Sequence, residues 1–521
     1  MSALIPVPAL LIVFLLVPAT VSAQSAPPVI GEIEVVSHEV FETGGTAPYR
    51  LANRLHVRTR ERVVRNDLLF ESGDPVDYEL IEQTERNLRD LPFLRDARLE
   101  TTEVDSDGDG ATDRVDVRVT TWDRWTLSPR VDFQQVEDRT IWELGASEKN
   151  LLGFGKAITF SHRQNLDRTI DRLTYDDQQL FHTRNRLTAT LSQLSDGYDR
   201  LFLIDRPFLS LRDPWTYTIG AGGFRRTDPI VEHGVEIDRL PHRGRWSDLA
   251  VGRAIVRRDP HAVRLLGAYR FRSDHVGAER REFGIAEVGL QAVSHRFVRL
   301  THVNQFERTE DFNLGTESHV TLGLASEALG GAAGATFVAA GHQQGVVFDD
   351  DHFVILNAAV GGRREGALWR NLSASAGARY LLKPSPRTAL IGRLDYVHGH
   401  RLDPEVQLRL GIESGLRGYP VRQFTGDRSL LLSIEERWFV ADDVWQLLSL
   451  GVAGFFDSGF VWPEGAPVRI GDLRSAIGVS LLVGSHRLAA RGGVRFDFGY
   501  ALNPIDGVKR WVGSAFSDIG F

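Results

Sequence analysis

A mainly β chain, closed into a membrane-spanning antiparallel barrel behind one small α+β domain, is the fold class this sequence predicts. Three observations carry it. From Trp125 to its end the chain repeats one phrase, about ten residues of alternating apolarity and then a turn. It opens on a short apolar leader. No later stretch approaches the roughly 18 apolar residues that a spanning helix needs.

At 521 residues the chain exceeds one ordinary domain, so two units or one large closed sheet are expected. Charged residues make up 25% and the net charge is −8, which excludes a basic field for nucleic acid. The 50 glycines and 9% aromatics suit many strands and tight turns. With no cysteine, disulfides and thiolate metal centres are excluded, and export through an oxidising compartment is easy.

Residues 1–23 read as a signal peptide. Leu10 to Leu16 form the apolar core, and Val21-Ser22-Ala23 offers small residues for cleavage before Gln24. An exported chain without a spanning helix is secreted, periplasmic or an outer-membrane barrel.

Residues 30–122 have mixed periodicity. Ile33 and Val35 share a strand face, and two helical stretches follow. In the second, Asp77 is placed to cap, Ile81, Thr84, Leu88 and Leu91 recur at helical spacing, and Pro92 ends it. Val115, Val117 and Val119 then alternate on a last strand. The order β-α-α-β-β predicts a three-stranded sheet with both helices on one face. The loop before that strand sets Asp105, Asp107, Asp109, Gly110, Asp113 and Asp116 at positions 1, 3, 5, 6, 9 and 12 of a calcium loop. Position 12 is Asp rather than Glu and strands flank the loop, so a solvated Asp/Gly hairpin stands beside a structural Ca²⁺ site. No other cofactor is expected.

Residues 125–521 form the barrel. Val494, Phe496, Phe498 and Tyr500 face one way, Arg495 and Asp497 the other. Leu450, Val452, Phe456, Phe460 and Trp462 oppose Gly451, Ala453, Asp457 and Gly459. Leu390, Leu394 and Tyr396 oppose Arg393 and Asp395, and Leu265, Tyr269 and Phe271 oppose Arg270 and Arg272. Aromatics near strand ends on one face, with both signs of charge on the other, give the apolar-out, polar-in pattern of a transmembrane barrel. Backbone groups in lipid must all be paired, so the sheet has to close. About sixteen candidate segments precede residue 400 and about five follow residue 428. Two termini on one side require an even total, so an odd number must precede an outward loop.

The inward-folded loop 398–428 contains "GIESGLRGYPVRQFTGDRS", with Arg417 at its tip beside Gly418 and Tyr419. A loop folded back into a barrel needs such a cation tied to an acid on the wall. Gly418 is read as allowing a tight turn and Tyr419 as packing on the wall. "HGHRLD" offers His398, His400 and Asp403, read as solvated polarity at a strand end rather than a metal or catalytic group. There is no serine nucleophile elbow, phosphate loop or His-Glu zinc helix, and no enzyme is expected.

Several segments resemble the BamA/TamA-type outer-membrane assembly and translocation superfamily, a POTRA domain followed by a bacterial surface antigen barrel. They are "EKNLLGFGK" (Glu148 to Lys156), "GLRGYP", "SIEERWF", "FFDSGFVW" and "RFDFGYALNP". "LLFESGDPVDYELIEQTERNLRDLPFLRDARLE" resembles a POTRA domain. "SAFSDIGF", with Ile519 and Phe521, is similar to the terminal strand signal of such barrels. The resemblance covers residues 30–521. It implies sixteen strands, against up to about 20 by pattern, with the Arg417 loop after the eleventh. It also implies that Arg417 pairs with the Phe-x-Asp-x-Gly aspartate, Asp457, with Glu435 as second candidate.

The function implied is assistance to protein insertion or translocation at the bacterial outer membrane. The POTRA domain would lie in the periplasm and receive unfolded client polypeptides, and accessory lipoproteins are possible partners. A passive channel or structural barrel, and a lipid- or lipoprotein-handling barrel, are the alternative readings.

Overall fold

Alternation dictates strands, and strands with one apolar face must find neighbours on both edges. The computed structural model, which describes residues 27–42, 47–105, 112–136, 139–488 and 493–516, shows how they do so. The leader at residues 1–23 lies outside the described residues.

The N-terminal unit consists of β1 (Val29–His38), α1 (Ala47–Leu55), α2 (Glu61–Asp67), α3 (Tyr78–Asp90), β2 (Leu94–Val104) and β3 (Arg114–Asp123). β3 is central, parallel to β1 and antiparallel to β2. Asp77 caps α3, accepting from the Glu79 and Leu80 amides at 3.2 and 3.3 Å. Ile81 and Leu88 face the sheet and join Ile30, Val64, Phe93 and Val119 in one core. Leu88 is fully buried, so its truncation to alanine costs roughly 2–5 kcal/mol. The unit has a third helix beyond the two predicted. α1 leaves Leu51 and Leu55 exposed and turns Tyr49 to the Trp445 carbonyl of the barrel, so it carries little core periodicity to read.

The barrel strands follow in chain order. The first six are β4 (Leu127–Val136), β5 (Arg139–Glu148), β6 (Lys156–Gln164), β7 (Thr169–Asp177), β8 (Arg186–Leu194) and β9 (Gly197–Arg206). Four long strands come next: β10 (Trp215–Glu232), β11 (Val235–Arg258), β12 (His261–Val276) and β13 (Glu279–Ser294). The short pair β14 (Phe297–Leu300) and β15 (Glu310–Asn313) stands apart from the wall. The wall resumes with β16 (Thr316–Ala325), β17 (Ala335–Asp349), β18 (His352–Glu365), β19 (Leu368–Ser385) and β20 (Thr388–His400). A second short pair, β21 (Leu408–Leu410) and β22 (Phe424–Gly426), lies in the long loop. β23 (Arg428–Val444), β24 (Leu448–Trp462), β25 (Arg474–Gly484), β26 (Val494–Ala501) and β27 (Trp511–Phe516) complete it.

The wall closes as a barrel of twenty antiparallel strands, β27 meeting β4. Twenty replaces the sixteen implied by resemblance. Fifteen strands precede the Arg417 loop and five follow it, so the loop comes after the fifteenth strand rather than the eleventh. The alternating segments of β14 and β15 look like wall in sequence but fold inward. Outward residues such as Val131, Phe160, Leu249, Val288 and Phe498 are half exposed, while inward neighbours are charged or small. On a closed sheet without edges, that exterior is a lipid-facing surface.

The N-terminal unit sits at one mouth of the barrel, here the near end. Arg60 donates its amide to Gly153 (3.0 Å), and the Arg487 guanidinium donates to the Val40 carbonyl (2.6 Å). The β7–β8 turn docks on α2 through Gln179, whose Nε2 lies 2.8 Å from both the Val63 carbonyl and Asp67 Oδ2.

Desolvation at this joint, partly offset by the Gln179 hydrogen bond, pushes the Asp67 carboxyl up to about 6. Its folded value lies above its unfolded one, so this contribution is complete below about pH 4 and is lost as pH rises through 6. Asp67→Asn is therefore expected to raise the proteolytic melting midpoint of the N-terminal unit at pH 7.5, with little gain at pH 3.5. Discounted for the part of Asp67 that stays wet, the stabilisation is on the order of 1–2 kcal/mol.

Candidate functional site

On β23, the alternation that turns Leu432 and Ile434 outward turns Ser433, Glu435 and Arg437 into the lumen. On β24 it does the same for Phe455 and Asp457, and on β26 for Arg495 and Asp497. Ser433 is the register partner of Asp457, and Ser480 of β25 that of Asp497. Four adjacent strands thus present one polar wall, and loop 401–427 descends onto it from the far end.

Arg417 at the tip is engaged on every side. Its Nε and Nη2 lie 2.7 Å from the two oxygens of Asp457, and its own amide donates to Asp457 Oδ2 at 3.1 Å. Nη1 donates to Glu435, and Nη2 reaches Ser433 Oγ at 3.1 Å. The guanidinium stacks 3.6 Å from the centre of the Phe455 ring. Glu435 also accepts from Arg437 Nε (2.7 Å) and, through both oxygens, from Arg495 (3.0 and 2.6 Å). Arg495 reaches Asp497 at 2.6 Å. Three guanidinium groups meet three carboxylates, so the cluster is neutral; Glu435, Asp457 and Arg437 are fully buried. Burying charge costs several kcal/mol per ion unless each is paired and hydrogen-bonded, and here each is.

The loop backbone comes close because the wall opposite is small. A Cβ on Gly418 would stand 2.4 Å from the Ala476 methyl, so Gly418 serves close approach. Gly418 also lies in a turn, with the Tyr419 amide donating to the Leu416 carbonyl at 3.2 Å, but without a positive φ; the positive-φ glycine of the loop is Gly415, at +107°. Tyr419 is fully buried and donates its hydroxyl to the Asn503 carbonyl at 2.9 Å. Further out, Arg422 binds Asp167 through two 2.7 Å contacts. Asp403, read from sequence as solvated, is buried and takes Arg363 at 2.7 and 2.8 Å, with Arg281 alongside. Its carboxylate is an anchor for the loop.

A second insertion enters from the near end. Residues 295–315, carrying β14 and β15, bury Val298, Val303 and Leu314 against Phe353, Leu381 and Ile391 of the inner wall. Phe306 packs edge-on against Phe439. The Glu310 carboxylate accepts the amides of Val303, Asn304 and Gln305 at 2.9–3.1 Å and so holds the turn together. Arg437 Nη1 donates to the Val303 carbonyl at 2.6 Å, joining this plug to the Glu435 cluster. On its other side Asp311 takes Arg89 of α3 through two 2.8 Å contacts. One run of bonded groups therefore links the far loop, the lumen wall, the plug and the N-terminal unit.

Arg270, Arg272, Arg393 and Arg495, read from sequence as lumenal cations, are all paired. Their partners are Glu287, Asp248, Asp395 and the Glu435 cluster. Sequence reasoning passed over Arg437, Asp497 and Phe455 as site residues. The signal was present: like Asp457, each lies on the polar face of a closing strand.

At the seam, β27 and β4 share two register pairs among the described residues, Ser514↔Gln134 and Ala515↔Phe133. β26 and β27 share six, and β4 and β5 ten. Ile519 and Phe521 lie outside the described residues, as do Asp107 and Asp109. Of the remaining acidic-loop residues, Asp116 accepts the Glu32 amide at 2.7 Å and pairs with Arg114 at 3.1 Å. Asp105 and Asp113 border the undescribed stretch.

No protein-family model matches the chain, and no curated protein matches it. Among solved structures it is similar to CdiB from Acinetobacter baumannii, with 14% identity over 93% of this chain and 73% of that one, at a TM-score of 0.45. It is also similar to CdiB from Escherichia coli, with 14% identity over 96% and 93%, TM-score 0.44. BamA from Haemophilus ducreyi lacking POTRA domains 1–3 is a third likeness, with 11% identity over 93% and 85%, TM-score 0.38.

Removing Arg417 leaves Asp457 buried without its bidentate partner. Arg417→Ala is expected to cost roughly 3–5 kcal/mol in the unfolding midpoint read by heat-modifiable electrophoresis. The joint replacement Arg417→Met with Asp457→Leu should cost markedly less than that.

Proposed function

We propose that the chain is an outer-membrane barrel that helps polypeptides into or across that membrane, working through its seam rather than through an open lumen. The N-terminal unit then lies in the periplasm and receives clients, and the Arg417 loop closes the extracellular side. The observation that carries this reading is the contrast at β27–β4 among the described residues: two register pairs where neighbouring strands share six to ten. Unpaired backbone at a strand edge is a template for an incoming strand, and in lipid it must be paired or covered. Loop and plug meanwhile fill the lumen beside β18–β25 from both ends, which disfavours free diffusion there. Arg417 acts as a latch that shapes the lumen and takes no part in covalent chemistry. Accessory lipoproteins would meet the N-terminal unit.

One observation favours a conducting path. Along β6–β9 the lumen is lined by Thr159, Thr188, Arg172 and Ser192, with a cavity of about 650 Å³ toward the near end and one of about 580 Å³ toward the far end. Their mixed lining of Asp176, Asp199, Arg186 and Arg226 suits water more than a selective anion route.

The chain holds no cysteine, so a pair introduced as Phe133→Cys and Ala515→Cys at registered seam positions reports cleanly. Oxidised in the native host, it is expected to deplete other barrels or one exported species from the outer-membrane proteome, with reductant restoring them. An unchanged proteome with the lock fully formed rejects the seam mechanism.

A further inference from the structure

Inside the barrel, Arg270, Arg272, Arg417 and Arg495 stand beside acids. On the outward face, a cluster of four arginines does not. Arg200 of β9, Arg225 of β10, and Arg243 and Arg245 of β11 are exposed and share the outward face with Phe202, Ile219 and Leu249. None of the four forms an ion pair among the described residues. Arg225 and Arg243 are direct register partners, and like charges set opposite each other destabilise a strand pair. In the adjacent row Arg200 and Arg245 flank Gly223, which has no side chain to fill the space between them. Two strand spacings put their backbones about 10 Å apart. Aromatic rings hold two of them in place: Arg200 lies over Tyr198 at 4.9 Å and Arg245 over Phe271 at 5.5 Å. Arg243 reaches His275 Nδ1 at 3.3 Å.

Their height on the wall is as telling as their number. Below them, past Ser247, the outward face is apolar through Leu249 and Val251 to the row of Arg253 and Trp215, where Arg206 covers the Trp215 ring at 4.7 Å. Eight residues of β11 separate Arg253 from Arg245, about 26 Å along the strand and about 20 Å along the normal at a 40° tilt. The four arginines therefore stand at the far border of the apolar band, the level of lipid headgroups. A guanidinium there meets phosphate with matched, bidentate geometry.

We propose that this cradle binds the phosphate groups of a lipid headgroup in the outer leaflet. The inference rests on the outer-membrane reading above. The bound anion offsets the Arg225–Arg243 repulsion and anchors the barrel on the β9–β11 side, away from the seam.

The test reconstitutes the full chain in phosphatidylcholine vesicles containing diphosphorylated lipid A or its dephosphorylated counterpart, and counts retained lipid by native mass spectrometry. The expected result is retention of the phosphorylated form. It should fall about tenfold in the joint variant Arg200→Gln, Arg225→Gln, Arg243→Gln and Arg245→Gln, and lie between those two levels in the corresponding four-lysine variant, which keeps the charge and loses the bidentate fork. Heat-modifiable mobility establishes that each variant is folded. Equal retention of the two lipids, equal retention by wild type and the glutamine variant, or displacement by millimolar inorganic phosphate would each overturn the proposal. A folded wild type that fails to span the vesicles, seen as complete protease access, overturns the membrane reading and this inference with it.

Discussion

The carboxylate of Glu435 receives three arginines delivered by three parts of the chain: Arg417 from the far loop, Arg437 from its own strand and Arg495 from β26. A buried carboxylate surrounded in this way tolerates no partial arrangement, because losing any one partner leaves a desolvated charge unmatched. The loop must therefore be fully seated or the cluster must be rehydrated. Around this constraint the small residues of the wall make sense. Ala476 and Ala501 leave room for the loop backbone, and Phe455 offers its ring face where the guanidinium has no further acceptor.

The same cluster explains why the plug belongs to the site. Arg437 divides its donors between Glu435 and the Val303 carbonyl, so the near-end insertion completes the coordination that the far-end loop begins. Because Asp311 of the plug also holds Arg89 of α3, displacement of the N-terminal unit would be felt at the latch through bonded groups rather than across open water. Two-ended closure of one side of the lumen, with a polar path left along β6–β9, is a division of labour that a uniform pore would not need.

Much of this was legible in the sequence. Strict alternation reveals the wall, and the parity argument requires an odd number of strands before the Arg417 loop; fifteen is odd. The Arg417–Asp457 contact was implied by the resemblance, and the alternation of β24 agrees by turning Asp457 to the lumen. The wall count was not legible from resemblance, since extra hairpins lengthen a barrel without touching its closing motifs. The plug was hidden because β14 and β15 alternate like wall strands, and only their burial against Phe353 and Leu381 distinguishes them. The reason for Gly418 was hidden too, because a close approach between residues 58 positions apart leaves no local signature.

In the resting protein the Glu435 cluster holds the β18–β25 side of the lumen shut, and the working opening is proposed to lie at the seam. Conductance in planar bilayers tests this closure most directly, comparing the intact chain with one lacking residues 401–427. Small, intermittent currents are expected from the intact protein, and a large, steady increase once the loop is removed. Steady large conductance from the intact protein, unchanged by removing the loop, would contradict it.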